Sequence, residues 1–355
     1  MAAPDYNISL IPPRLDGGGA DVASIGCREA RKMSGPILLA YDLDGEGGGK
    51  PVSDGVIGRE LRRDVLAWVH LDGKHPDARL WLDREISSLD PFVVDALLAE
   101  ETRPRMAEIN DGALLILRGI NHDENADPED MVSIRLWIDK TRIISVQLRN
   151  SMAIFDVEER ISANKGPRNP GEFVNLLLAR LSDGMTSLIA DLDDETDDVE
   201  ERILEDPDSS LRERIISIRK TAIKLRRYIA PQRDAIGQLL LAEFSWLDGQ
   251  HRRLLQENFD HLLRYIEDLD AIRERSQIMK DELANIIADK LNRHLYILSV
   301  IAAIFLPLAF LTGLFGINVG GIPGDQSPYA FAIFCGVLVI LVAVQIFIFK
   351  KLKWF

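Results

Sequence analysis

The fold is decided by the stretch Leu295–Leu314, which reads LYILSVIAAIFLPLAFLTGL. It carries no charged residue, and as a helix rising 1.5 Å per residue it covers about 30 Å, the thickness of a hydrocarbon core. A second charge-free stretch runs from Tyr329 to Phe349. The alternative, a buried hairpin in a soluble protein, is disfavoured because two such runs rarely occur in one soluble core. The sequence therefore predicts two transmembrane helices, 295–314 and 329–349.

Basic residues flank this predicted membrane hairpin on one side only. They are Lys290, Arg293 and His294 before the first span and Lys350, Lys351 and Lys353 after the second. The intervening loop, 315–328, has no Lys or Arg. The positive-inside rule then places both termini in the cytoplasm. No signal-peptide pattern opens the sequence, so we expect a multi-pass protein of the bacterial inner-membrane type with about 290 cytoplasmic residues.

Composition narrows the function classes. The chain has 355 residues, which exceeds one ordinary core, and a formal net charge of −14. The excess of acid disfavours nucleic acid as a partner and suits a protein that attracts cations. Cys27 and Cys335 lie in the tail and in a span, so neither a disulfide framework nor a zinc finger is expected. The segment 45–49 is rich in glycine but lacks the lysine of a phosphate loop, and we expect no enzymatic activity.

Pattern changes divide the chain into four parts. They are a poorly ordered tail (1–34), a cytoplasmic α/β domain (35–165), a helical region with a long stalk (166–294), and the transmembrane hairpin with its basic tail (295–355). In the α/β domain, strands are predicted at 37–41, 65–71, 113–117, 131–138 and 142–148, the last two as a hairpin. Pro91–Glu100 reads as a helix with Asp90 as its N-cap. Pro231 is expected to break the helix that precedes it. The predicted fold class is therefore an α+β membrane protein.

The stalk carries an apolar stripe at helical spacing. Its members are Leu255, Phe259, Leu262, Ile266, Leu269, Ile272, Ser276, Met279, Leu283 and Ile286. Nothing between Leu255 and Pro307 breaks a helix, so one continuous helix is expected from near Leu254 into the membrane. Such a helix exceeds what one small domain can bury. The stripe therefore predicts self-association around an axis.

Eleven acidic residues crowd the segment from Asp191 to Asp208. One interpretation is an ordinary solvated helix face. The other is a surface that raises the local concentration of cations near a pore mouth. The sequence leaves both open.

The first span ends in the triplet Gly316-Ile317-Asn318, followed by Val-Gly-Gly-Ile-Pro-Gly. A Gly-x-Asn triplet alone is a weak signal, and a helix C-cap with Asn in a left-handed turn would also explain it. At the outer end of the first of two C-terminal spans, it resembles the signature of the CorA family of divalent-cation transporters. That family usually has Met in the middle. Ile there, with the loop that follows, resembles the family's zinc-transporting branch.

The resemblance covers roughly residues 35–355 and includes the segments 101–105, 115–121 and 225–233. It implies a homopentameric funnel, with the first span lining a pore and the second lying outside. Counting back from Asn318, the family's pore-facing positions are Gly313, Ala309, Leu306, Leu298, Leu295, Asn292 and Asp281. Lys350, Lys351 and Lys353 correspond to the basic collar, and Asp325 lies in the outer loop. Ala309 and Leu306 depart from the family because they offer no polar oxygen.

A cation cannot cross bare hydrocarbon, so a polar path must be assembled from several copies of one helix. The amide oxygen of Asn318 is a neutral acceptor, and a ring of such oxygens can hold a hydrated dication without trapping it. Gly316 allows close approach of helices, whereas Ile317 offers no ligand atom and is expected to pack. The spans contain no His, Cys or carboxylate expected of a dehydrated zinc site except Cys335. His261 and His294 are candidates for a cytoplasmic zinc ring formed by symmetry.

The functional expectation is a zinc transporter that passes the hydrated ion inward, with proton coupling as a further hypothesis. No cofactor is expected beyond the transported Zn²⁺, and the expected partners are further copies of the chain, the lipid bilayer and divalent metal ions. The alternatives are a Mg²⁺ or Co²⁺ channel on the same scaffold and a membrane-tethered coiled-coil scaffold without transport.

Overall fold

The computed structural model describes residues 35–63, 65–121, 123, 126–127, 129–316 and 328–351. The described residues fall into two compact units, each formed by two segments of the chain. The first unit comprises residues up to 191 together with 221–270, and the second comprises 192–220 together with 271–351. The predicted tail (1–34) lies outside the described residues. The predicted boundaries at 34, 165 and 294 stay predictions.

A mixed seven-stranded sheet forms the centre of the first unit. Its strands are β1 (Ile37–Leu43), β2 (Gly49–Pro51), β3 (Ala67–Asp72), β4 (Arg105–Ile109), β5 (Gly112–Gly119), β6 (Val132–Ile138) and β7 (Arg142–Gln147). Their order is β2-β1-β3-β7-β6-β5-β4, and only β3 and β7 run parallel. The predicted strands are confirmed with ends shifted by one to two residues. The predicted hairpin is also confirmed, since Asp139 accepts backbone hydrogen bonds from Thr141 and Arg142 at the turn between β6 and β7.

Short helices cover one face of this sheet. They are α1 (Asp54–Glu60), α2 (Ala78–Glu85) and α3 (Pro91–Leu98), and α4 (Met152–Ser162) follows the sheet in sequence. Asp90 caps α3 as predicted, because its carboxylate accepts a 2.8 Å hydrogen bond from the backbone N–H of Phe92. Leu82 of α2 and Val93 of α3 share one buried core with Leu114 of β5. On the other face, Trp68 of β3 meets Phe173 edge-on at 5.2 Å.

Four long helices follow: α5 (Pro170–Glu205), α6 (Leu211–Leu241), α7 (Gly249–Gly316) and α8 (Ala330–Lys351). The predicted continuous stalk helix is confirmed, since α7 runs for 68 residues and passes through Pro307. The predicted break at Pro231 is wrong, because α6 continues through it. Packing on both sides offsets the lost hydrogen bond. Ile229 and Ala235 are buried, and Gln232 accepts a 2.6 Å hydrogen bond from the backbone N–H of Arg118.

The apolar stripe of α7 is buried inside a single chain. Eight of its ten members are less than 9% exposed: Leu255, Leu262, Ile266, Leu269, Ile272, Ser276, Met279 and Leu283. In the first unit, Tyr265 bonds to Thr186 of α5 at 2.5 Å, and Phe259 lies against Gly237 of α6. In the second unit, Arg275 bonds to α5. The inference that self-association buries the stripe is therefore wrong, because α5 and α6 of the same chain supply the facing surfaces.

Three described helices are long and apolar enough to cross a membrane by length and composition, namely α5, α7 up to Leu314, and α8. Half of the most apolar window of α5 is buried in the protein, so α5 is a core helix. The corresponding windows of α7 and α8 are 6% and 0% buried. Large apolar side chains such as Leu298, Phe305 and Phe331 are exposed there, which is the pattern of lipid-facing or subunit-facing helices.

Candidate pore and cation-binding residues

The C-terminal part of α7 packs against α8 through one face. On α7 the side chains that are partly or fully buried are Val300, Ala303, Ile304, Pro307, Leu308 and Leu311. On α8 they include Phe334, Leu338, Leu341, Val342 and Gln345, spaced by three and four residues. The Gln345 side chain donates a 3.2 Å hydrogen bond to the carbonyl of Ala303 and so joins the two helices. No role was predicted for Gln345, although a lone strongly polar side chain in an apolar span is a signal of such a contact.

The predicted pore residues lie on the opposite side of α7. Leu295, Leu298 and Leu306 are 52%, 62% and 72% exposed, and Ala309 and Gly313 are exposed as well. At 3.6 residues per turn, these five positions fall within an arc of about 120° that also contains Asp281 and Asn292. Both of those polar residues are exposed, and Gln277 donates to the carboxylate of Asp281 at 2.9 Å. One uncovered face of α7 thus carries the predicted pore positions, and their role stays a prediction.

The described part of α7 ends at Gly316. A side chain built at Gly313 or Gly316 would meet nothing within 4 Å. Within one chain these glycines therefore accommodate no close neighbour. The rest of the predicted entrance ring, Ile317 and Asn318, lies outside the described residues, as do Asp325 of the outer loop and Lys353 of the collar. Lys350 and Lys351 form the last turn of α8 and are exposed.

The two histidine candidates lie on α7 and are both exposed. The His261 ring lies 6.4 Å from the ring of Tyr265. In the described part of the chain, no group of three or more His, Cys, Asp or Glu side chains is placed to hold a metal ion. A zinc ring at His261 or His294 would need other copies of the chain, and it stays a prediction.

Arginines neutralise much of the acidic segment. Arg275 of α7 bonds to Asp193 at 3.1 Å, to Glu200 at 2.5 Å, and to Asp197. These carboxylates raise the pKa of the Arg275 guanidinium above its usual range, chiefly through Glu200. Arg214 of α6 pairs with Asp198 at 2.8 Å and with Glu195 at 3.6 Å. Five of the eleven acids therefore join helices within the chain, which reduces the field that they present to cations.

Comparison with known proteins settles the family. Residues 63–351 match the family model described as "CorA-like Mg2+ transporter protein". This chain belongs to that family. The predicted resemblance is confirmed, and so is the expectation that the chain is not an enzyme, because this is a family of transporters.

Individual relatives match nearly the whole chain. The zinc transport protein ZntB of Yersinia enterocolitica is 38% identical over 89% of this chain and 95% of its own length. The divalent cation transporter CmaX of Pseudomonas aeruginosa is 37% identical over 90% of this chain and 96% of its own. A solved structure of full-length CmaX covers 90% of this chain and 98% of its own, with a TM-score of 0.78 at 37% identity. This chain is therefore a membrane protein and a divalent-cation transporter of the CorA type.

Proposed function

We propose that this protein is a zinc transporter that works as a homopentamer, with a central pore lined by the uncovered face of α7. That face is the observation that carries the proposal. Leu295, Leu298 and Leu306 lie on it, opposite the side that packs on α8. Five copies would form a hydrophobic constriction from Leu295 and Leu298, with Asn292 and Asp281 as polar rings below it. The glycines at 313 and 316 leave room for a neighbouring helix.

The pore passes the cation in hydrated form. The predicted spans contain no Asp, Glu, Lys, Arg or His, and Cys335 belongs to the second span, outside the proposed pore. No charged side chain of the first span can therefore take the place of the water molecules around Zn²⁺. The neutral oxygens of an Asn318 ring bind that shell weakly enough for release. Zinc as the cargo is supported by the Ile in the Gly316-Ile317-Asn318 triplet and by similarity to a zinc transport protein.

A second candidate is a Mg²⁺ or Co²⁺ channel on the same scaffold. It is favoured by the family description and by similarity to CmaX, whose name specifies only divalent cations. Flux into liposomes loaded with a zinc indicator, with and without excess Mg²⁺, separates the two. Zinc flux that resists tenfold excess Mg²⁺ supports the zinc transporter, whereas zinc flux abolished by Mg²⁺ supports the channel.

Direction and coupling extend the same proposal. We expect inward transport, and any proton coupling must use groups outside the hydrocarbon, such as Asp281 and His294. An inward pH gradient that accelerates zinc uptake, and that loses this effect in Asp281→Asn, would support coupling. A rate of zinc uptake that does not change with the pH gradient would contradict proton coupling.

The Asn318 side chain is the site to test first. Asn318→Ala removes the ring of oxygens and should nearly abolish zinc flux while leaving assembly intact. Asn318→Asp adds up to five charges, whose mutual repulsion raises some of their pKa values, so flux should slow and become more dependent on pH. Ile317→Met is the matched control and should have little effect, because the volumes are similar. All are compared as zinc flux per assembled oligomer in liposomes.

The series separates a pore from a structural cap. Normal flux through Asn318→Ala would mean that the triplet only ends the helix and that the entrance lies elsewhere. No flux from the unaltered protein under any gradient, with intact oligomers, would favour the non-transporting scaffold.

A further inference from the structure

Three segments by which the sequence resembles its family meet at one cleft in the first unit. Thr102 and Arg103 come from the first segment, Arg118 from the second, and Arg227 and Tyr228 from the third. The cleft has a volume of about 660 Å³ and lies at the end of strands β5, β6 and β7, beside α6. Transport through the face of α7 makes no use of these residues.

Arg118 is fixed in this cleft without a carboxylate. Its guanidinium donates to the carbonyl of Met131 at 2.8 Å and to that of Thr102 at 2.5 Å, and it lies 4.7 Å above the ring of Tyr228. Its Nε is buried and has no hydrogen-bond partner among the described residues. Burial lowers the pKa of Arg118, and the positive charges of Arg149 and Arg227 lower it further, whereas Tyr228 opposes the shift. Each of its two Nη atoms carries a second N–H, so donors of a fixed guanidinium remain for a ligand.

Arg135 adds a second, deeper positive charge. In the β5–β6 register Arg118 lies opposite Ser133, and Arg135 follows two residues later on the same face of β6. Arg135 is fully buried and donates to the carbonyl of Ala99 at 2.7 Å, while its Nε and Nη1 have no partner in the part of the chain that the structure describes. Burial and the nearby Arg118 lower the pKa of Arg135 to about 10. A buried, unpaired guanidinium is costly, so a neutralising partner would be strongly stabilising.

Exposed arginines surround the mouth of the cleft. They are Arg103, Arg149 and Arg227, and among the described residues none of the three forms an ion pair with a carboxylate. The acidic residues of the lining, Glu100, Glu101 and Asp130, are exposed, and Asp130 pairs with Lys224 at 3.3 Å. Unpaired arginines are unexpected in a chain with a net charge of −14. Hydrogen bonds to backbone carbonyls account in part for the presence of Arg118 and Arg135 in this region. They do not account for Arg149 or Arg227.

We propose that this cleft binds a small phosphate-bearing anion, held by Arg118, Arg149 and Arg227 above the buried charge of Arg135. A planar guanidinium pairs with phosphate oxygens through two parallel hydrogen bonds, and several such groups favour a multiply charged anion over a single carboxylate. The volume lies within the range of sites for small metabolites. Free phosphate and a phosphorylated metabolite share this chemistry.

Titration calorimetry on the full-length protein in detergent tests the site. Inorganic phosphate and ADP are the two probes, in EDTA and at constant ionic strength, so that metal binding does not contribute. Arg149→Gln and Arg227→Gln should each weaken binding about tenfold, because each removes charged hydrogen bonds from an exposed position. Arg59→Gln, an exposed arginine on α1 outside the cleft, is the matched control and should leave binding unchanged.

Each result decides the proposal. Binding of inorganic phosphate that is weakened by both variants supports the site and identifies free phosphate as sufficient. Binding of ADP alone, with the same sensitivity, supports the site and identifies a phosphorylated metabolite. Absence of binding by both probes at millimolar concentration overturns the proposal. Equal weakening by Arg59→Gln, or none by the two cleft variants, also overturns it.

Discussion

His70 lies on β3 with its imidazole fully enclosed by the first unit. Its Nδ1 is 2.8 Å from the hydroxyl of Ser145, and its Nε2 has no partner in the described residues. Burial lowers the pKa of His70 from 6.5 to about 4, although Gln147, Ser145 and the charge of Asp72 oppose the shift. The fold thus favours the neutral imidazole, and this single residue makes stability depend on pH.

We predict that the first unit loses stability as the pH falls from 7 to 5. Between pH 6.5 and 4 the unfolded chain binds a proton at His70 that the folded chain does not, so stability rises with pH in this window. The contribution of the neutral His70 side chain to the free energy of unfolding is fully present above pH 6.5. It falls by about 2 kcal/mol between pH 7 and pH 5. Urea unfolding of the full-length protein, followed by tryptophan fluorescence, measures it.

The matched pair for this prediction is His70→Asn and His261→Asn. His70→Asn should lower stability at pH 7 and flatten its dependence on pH, whereas His261→Asn, at an exposed position, should leave the dependence unchanged. An unaltered slope in His70→Asn would show that another group is responsible.

At the scale of elements, α6 is a helix whose continuity depends on packing. Pro231 cannot donate a backbone hydrogen bond and its ring crowds the preceding turn, yet the helix spans Leu211–Leu241. The buried residues Leu225, Ile229 and Ile236 hold the segments before and after it. Tertiary contacts therefore outweigh a local preference that disfavours this helix.

Pro231→Ala should stabilise the first unit. Alanine restores the backbone donor, and the intrinsic gain in a helix interior is up to about 3 kcal/mol. The gain appears as a higher urea midpoint in the full-length protein, with Ala230→Ser as a control that leaves the proline in place. A lower midpoint would show that the surrounding core requires the bend that proline imposes.

The hairpin of α7 and α8 allows a test of orientation. With all flanking Lys and Arg residues on one side, we predict that both termini face the cytoplasm. In a chain whose Cys27 and Cys335 are replaced by serine and alanine, an impermeant maleimide applied to cells should label Ser327→Cys. It should not label Ser209→Cys, an exposed position between α5 and α6, until the cells are opened. The reverse pattern would contradict the predicted topology.

For the molecule as a whole, the burial of apolar side chains along α7 changes at about Ile286. Before Ile286, most side chains of the apolar stripe of α7 are buried within the same chain. After it, apolar side chains of α7 and α8 are exposed on most sides, and lipid alone cannot supply a path for an ion. The remaining argument for assembly is therefore the C-terminal hairpin and membership of the family, rather than the stalk.

We predict a homopentamer of about 199 kDa, five times the 39.8 kDa chain, by native mass spectrometry in detergent. Leu269→Ala in the stripe should lower the stability of folding by about 2–5 kcal/mol without changing this mass, because Leu269 is buried in its own chain. A monomer or dimer that still transports zinc would refute the pentameric pore. Loss of the pentamer in stably folded Leu269→Ala would show that the stripe also forms subunit contacts.

Features that depend on neighbouring residues or on solvent could be predicted from the amino-acid sequence. Two charge-free runs of membrane length, the cap at Asp90 and the turn at Asp139 were all readable, because hydropathy, capping and turn formation act within a few residues. The triplet at Gly316 identified the family, since its position at the end of a span is itself a sequence property. The extent of α7 was readable for the same reason, because no local breaker interrupts it.

Which surfaces pack against one another became known from the three-dimensional structure. Heptad spacing shows that one face of α7 is buried but not what buries it, and here α5 and α6 of the same chain do so. Pro231 lies inside a helix because distant residues hold both sides of it. Arg118 and Arg135 lie on neighbouring strands, Arg149 follows β7 and Arg227 lies on α6, and these residues come together only in the folded first unit. These outcomes depend on free energies of contact between residues far apart in sequence, which local patterns do not encode.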